Sequence, residues 1–110
     1  MKKIVVLCLF AMTLLALQWR QSNILAIDRV ITIYQNRLNC LKTQEAIVCI
    51  QRFPQDPHSD ALAQTFAMSF PKAFYANKLQ RDIDLLNRQK LCYGKALTQE
   101  EAKKCVIDLR

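Results

Sequence analysis

Four cysteines carry the clearest chemistry in this 110-residue chain, because each pair frames the same short pattern. Cys40 and Cys49 enclose Thr43-Gln44-Glu45 and Ala46, and Cys92 and Cys105 enclose Thr98-Gln99-Glu100 and Ala102. In each copy a β-branched apolar residue, Ile50 or Val106, follows the second Cys. An even number of cysteines in a short chain reads as a disulfide framework, with three possible connectivities for four thiols. No C-x-x-C pair is present and His58 is the sole imidazole, so neither zinc nor thiol redox chemistry is expected. The fifth cysteine, Cys8, lies inside an apolar run and reads as a small buried hydrophobe.

The duplicated frame favours local pairing, Cys40–Cys49 and Cys92–Cys105. In each copy a bridge would lock the end of one helix to the flank of the next. The rival is Cys40–Cys105 with Cys49–Cys92, which would tie an antiparallel helix pair as in twin Cys-x9-Cys proteins. The spacings here, eight and twelve intervening residues, do not match that pattern. The crossed arrangement is the third possibility.

Residues able to do acid–base or nucleophilic work are sparse. His58 could act as a general base, with Ser59 beside it and Asp56 and Asp60 close in sequence. Adjacent side chains on a helix diverge, however, so this group reads as polar residues at a helix start. Asp82 and Asp84 are two apart and point apart on a helix, which excludes a paired-carboxylate site. Glu100 and Glu101 read as first-turn residues. There is no phosphate-binding glycine loop, no H-E-x-x-H and no nucleophile elbow. A non-enzymatic protein with no cofactor is expected.

The elements that must position these residues are helical. One Gly and three Pro are too few for the many tight turns of a sandwich or barrel. From Ile24 to Leu41, the residues Ile24, Ile27, Ile31, Tyr34, Leu38 and Leu41 recur at helical spacing, with Asp28, Arg29, Gln35, Asn36 and Arg37 assigned to the other faces. Thr43 is expected to cap a second, short helix that stops at the Phe53-Pro54-Gln55-Asp56-Pro57 break. Asp56 as N-cap and Pro57 as first helical residue open a third helix to about Ser69. Pro71 forces a fresh start, from about Phe70 to about Leu91, with Tyr75, Leu79, Ile83 and Leu86 in a stripe. Lys78–Asp82 and Asp84–Arg88 are expected as ion pairs on its exposed flank. Gly94 is expected to end it in a left-handed conformation, and Thr98 to open a last helix through a capping box. The fold class is all-α, a small bundle of about four to five helices stapled by two disulfides and preceded by an N-terminal hydrophobic signal-anchor helix.

Lys2 and Lys3 precede Ile4–Leu17, which carries no charge, the layout of an export signal. No A-x-A pattern follows before Ser22, which favours an uncleaved anchor over a cleaved signal peptide. The domain division is therefore 1–21 as anchor or signal and 22–110 as the extracytoplasmic α-helical domain. The basic N-terminus predicts a single pass through the bacterial inner membrane, N-in, by residues 4–19, with the remainder in the periplasm, or a periplasmic protein if the signal is cut. Of sixteen Lys/Arg, all but Lys2 and Lys3 fall in the exported part, against nine Asp/Glu. That basic excess suits an acidic protein or anionic head groups. No basic-aromatic stripe supports a nucleic-acid partner.

The aromatic residues Phe66, Phe70, Phe74 and Tyr75 straddle Pro71 and, with Phe53 and His58, form the candidate partner surface. Small exported helical domains with disulfides resemble, in architecture alone, type VI secretion immunity proteins and phage antiholins. That resemblance implies an inhibitor that binds a toxin or hydrolase. The alternative is an accessory subunit of a membrane-embedded secretion, conjugation or division complex, docked through the Ile24–Leu41 stripe.

Overall fold

The computed structural model describes residues 2–96 and 99–105, with side chains described for residue 18, residues 20–96, and residues 100, 101 and 103–105. It is all-helical. Helix α1 (Lys2–Cys40) is followed by α2 (Ala46–Arg52), α3 (Pro57–Ser69), α4 (Lys72–Lys95) and the single turn α5 (Gln99–Lys103). No Gly or Pro interrupts the sequence from Lys2 to Cys40, and α1 runs through it without a break. The side chains of the apolar segment 4–17, on which the anchor assignment rests, lie outside the described residues. Among the described residues, no helix is long and apolar enough to cross a membrane.

Two disulfides hold the chain, Cys40–Cys49 and Cys92–Cys105, which is the local pairing the duplicated frame favours. Their Cα atoms are 5.7 and 5.6 Å apart, within the ordinary range for a bridge. Each starts near the C-terminal end of a long helix, and its second cysteine lies within α2 (Cys49) or in the turn just past α5 (Cys105).

The long helices α1 and α4 lie antiparallel. Arg20, early in α1, donates to the carbonyl of Ala96 just past α4 at 3.3 Å, and Asp28 pairs with Lys90 at 2.7 Å. At the other end, Arg37 of α1 reaches Tyr75 near the start of α4. The core therefore divides along the pair. One cluster gathers Ile27, Ile31, Ile83, Leu86, Tyr93, Ala96 and Cys105. The other gathers Cys40, Leu41, Ala46, Cys49, Ile50, Tyr75 and Leu79, and Tyr34 and Leu38 pack against both. Counted back from Cys40 and from Cys92, the positions Ile27, Ile31, Tyr34 and Leu41 correspond to Leu79, Ile83, Leu86 and Tyr93. All eight are at least partly buried, so the sequence repeat extends from the Cys frames back through both helices.

Several local expectations are corrected. Thr43 caps nothing: it lies in the turn after α1, and the N-cap of α2 is Glu45, without a side-chain capping bond. Gly94 does not adopt a left-handed conformation, since no glycine has positive φ, and α4 continues through it to Lys95. Helix α4 starts at Lys72 with Pro71 as its N-cap, because a proline needs no amide partner there. Asp82 is not on an exposed flank but is only 2% exposed, and Asp84 accepts from Gln80 at 3.2 Å. The Thr98 capping box lies outside the described residues. Asp56 is the N-cap of α3 as expected, with Pro57 first in the helix.

Candidate functional site

The end of the molecule closed by α2 and α3 holds a polar network under an open groove. Its centre is Arg37, only 1% exposed. The sequence pattern assigns this residue to an outer face, yet it stands three positions after Tyr34 and four before Leu41, which is core spacing. A buried guanidinium has to spend its donors on fixed acceptors. Here Nε donates to the carbonyl of Phe53 at 2.8 Å, and one terminal nitrogen donates to the Asp60 carboxylate at 2.8 Å. The other lies 3.4 Å from the Tyr75 hydroxyl oxygen. The Phe53 carbonyl is available because the Phe53–Asp56 break leaves the chain non-helical between α2 and α3. Asp60 also accepts from the backbone N–H of Gln55 at 3.0 Å, so one carboxylate fixes both the loop and the guanidinium.

Around this centre the groove encloses about 790 Å³. Tyr34 from α1 and His58, Leu62 and Phe66 from α3 line it, with Tyr75, Lys78 and Asp82 from α4. The Tyr34 hydroxyl sits 3.1 Å from the Gln55 side-chain oxygen. Burial pushes the Tyr34 phenol above its ordinary pKa, and the negative Asp82 adds to the effect while Arg37 opposes it. Burial raises Tyr75 as well, against the lowering charge and hydrogen bond of Arg37. At the rim, Asp56 accepts the Ser59 N–H at 2.8 Å, and that bond holds its carboxyl below the usual range. Asp82 pairs with Lys78 at 2.7 Å through one oxygen, and its other oxygen, Oδ1, has no hydrogen-bond partner.

The sequence-derived candidates divide three ways. Cys40, Cys49, Cys92 and Cys105 form the two bridges. Phe53 is half-buried against the α2 cluster and Tyr75 is 2% exposed, so both rings lie inside the fold. His58 is exposed at the groove rim, and Phe66 is half-buried in its wall. Phe70 and Phe74 remain 48% and 56% exposed. Their rings continue from Phe66 as a ladder, with centroids 4.7 Å apart from Phe66 to Phe70 and 6.0 Å from Phe70 to Phe74. The ladder crosses the junction of α3 and α4, where Pro71 sets the angle. Leu62 and Met68 add 60% and 71% exposed apolar side chains from α3.

His58 and Ser59 are not joined into a nucleophile–base pair by any hydrogen bond; the Ser59 amide is spent on the Asp56 cap. Arg37, Asp60, Tyr34 and Asp82 are missing from the sequence-derived set. The available signal was spacing, since Asp82 stands three after Leu79 and four before Leu86 and so occupies the same stripe. Among the described residues, no group of three or more His, Cys, Asp or Glu is placed to hold a metal ion. Comparison with protein-family models, with curated proteins and with solved structures gives no match.

Proposed function

We propose that this chain is a non-enzymatic exported protein-binding domain of the inhibitor or immunity type, working in the bacterial periplasm. The observation that carries this reading is the Phe66–Phe70–Phe74 ladder. Two of its rings are about half exposed beside a groove, on a base braced by the Cys40–Cys49 bridge. Exposed aromatic side chains on a rigid frame supply contact area at low entropic cost, which is what a binding surface needs. Disulfides are consistent with an oxidising, exported compartment.

The test is capture of a soluble partner by tagged full-length protein from gently solubilised envelopes, comparing wild type with Phe70→Ala/Phe74→Ala. The expected result is one soluble toxin or hydrolase at comparable stoichiometry, lost in the double variant while its unfolding midpoint stays close to wild type. Joint loss of partner and fold would make the rings core residues and remove the reading.

A second reading, an accessory subunit of a membrane-embedded envelope complex, is favoured by a different observation. Helix α1 is continuous from Lys2 through Cys40, and Leu25 on it is 68% exposed. Recovery of integral membrane subunits, insensitive to Phe70 and Phe74, would select that alternative.

A further inference from the structure

We propose that the groove between α1, α3 and α4 is a socket for an arginine side chain of the bound protein, with Asp82 as its acceptor and the rings of Tyr34 and Phe66 as its walls. This rests on the protein-binding reading and names the chemistry of the contact. The Asp82 side chain is 3% exposed and lines the groove, and its Oδ1 is a buried acceptor without a donor. Arg81 Nε lies 3.8 Å from that oxygen on a largely exposed side chain, too far for a hydrogen bond. Lys78 serves the other oxygen at 2.7 Å, and its Nζ lies 6.0 Å from the centroid of the Phe66 ring. The chain thus already places one cation between this carboxylate and an aromatic face, the arrangement that favours cation–π contact.

The occupant is cationic because the fixed positive charge of the groove is already spent. Arg37 gives three of its five N–H groups to Phe53, Tyr75 and Asp60, is paired in charge by Asp60 and is 1% exposed, so it offers an incoming anion no uncompensated charge. Arg37 balances Asp60 and Lys78 balances Asp82, and Lys78 is the most exposed of the four, with 29% of its side chain exposed. When Lys78 swings into solvent, the Asp82 carboxylate keeps only the long 3.8 Å contact to the largely exposed Arg81 and has no hydrogen-bonded cation. A guanidinium presents two parallel donors and can serve both oxygens, whereas one ammonium serves a single oxygen here.

The experiment titrates isotope-labelled full-length protein in mild detergent with n-butylguanidinium, and in parallel with the neutral isostere n-butylurea. Saturable amide shifts are expected at Tyr34, Phe66 and Asp82, with the cation bound about tenfold more tightly than the urea. Lys78→Met should tighten the cation several-fold by removing an internal competitor, while Asp82→Asn should abolish the preference for charge. Those opposite signs separate a socket from a merely structural ion pair, for which both variants would act alike. Equal affinity for the two probes, or weaker binding by Lys78→Met, overturns the proposal, and because the first is read on wild type it needs no variant to fold. An Asp82→Asn protein that keeps wild-type affinity for a captured partner would also overturn the socket and leave the protein-binding reading standing.

Discussion

The two ends of the α1/α4 pair start from the same pattern and finish differently. At each end a long helix terminates near a cysteine bridged to a second one in, or just past, the short helix that follows, over a core built from corresponding positions. At the α5 end the described cluster is mainly apolar, and its surrounding polar contacts include Arg20 with the Ala96 carbonyl and Asp28 with Lys90. At the α2 end the chain continues through a proline break into α3, which lies over the core and forms the groove. The position three before the first cysteine of each frame shows the divergence most sharply. It is Arg37 in one copy, 1% exposed and bonded on three sides, and Gln89 in the other. What the copies share accounts for the scaffold. What they do not share, namely Arg37, Asp60, the tyrosines and the aromatic ladder, coincides with the candidate site.

Removing each bridge in turn gives the largest expected effects and tests whether the ends differ in packing or only in connectivity. The bridged residues are 9 and 13 positions apart, and loop-closure entropy assigns both bridges about 3 kcal/mol. Cys49, however, is 0% exposed and lies in the cluster against which α3 packs. Cys40→Ala/Cys49→Ala should therefore cost the entropic amount plus a cavity contribution, about 4 kcal/mol in total. Cys92→Ala/Cys105→Ala should cost less, between about 3 and 4 kcal/mol, since Cys105 is 3% exposed but Cys92 is already partly exposed. Midpoints from urea unfolding at unchanged m-value decide it. Equal losses would reduce the difference between the ends to sequence alone.

The next test exchanges the divergent position. Arg37→Ala leaves the Phe53 carbonyl and the Asp60 carboxylate without their guanidinium partner. Breaking a buried pair costs about 3–5 kcal/mol, and the 17% exposure of Asp60 places this case near about 3 kcal/mol. Gln89→Ala, at the matching position, should fall within about 0.5 kcal/mol of wild type. A large loss at Gln89 as well would mean that both ends depend on buried polar packing, and the contrast would fail.

These contrasts also bear on what could be read before the structure. Helix identity, the break at Phe53–Pro57, the Asp56 cap and the bridge pairing all follow from local rules, because each depends on residues close in the chain, the bridges being the widest at 9 and 13 positions. Arg37 and Asp82 were misplaced for the opposite reason. Charge alone sends a residue to the surface, and only a partner from a distant segment reverses that, here Asp60 and the Phe53 carbonyl for Arg37. Their helical spacing was legible; their partners were not. The sequence marks the aromatic cluster and, through the Tyr75, Leu79, Ile83 and Leu86 stripe, separates the buried Tyr75 from its neighbour Phe74; the exposure of Phe70 and Phe74 depends on how α3 meets α4, which no local spacing gives.

The smallest effect is a pH dependence that belongs to the α2 end. Tyr34 and Tyr75 both have phenols raised by burial, and both contact or face Arg37. A group whose folded value lies above its unfolded value holds its proton more tightly when folded. Its contribution to stability is therefore complete below about pH 10 and is lost as pH rises through the raised folded value. Each tyrosine can add at most about 1.4 kcal/mol per pH unit of slope, and only between those two values. Urea midpoints measured from pH 8 to 11 should fall more steeply for wild type than for Tyr34→Phe/Tyr75→Phe. Arg37 opposes both shifts, so in Arg37→Ala the phenols should move higher still, and their tyrosinate absorbance should appear later in an alkaline titration of the folded protein. An alkaline limb unchanged by the double substitution would place its origin outside these two residues and detach the titration from the α2 end.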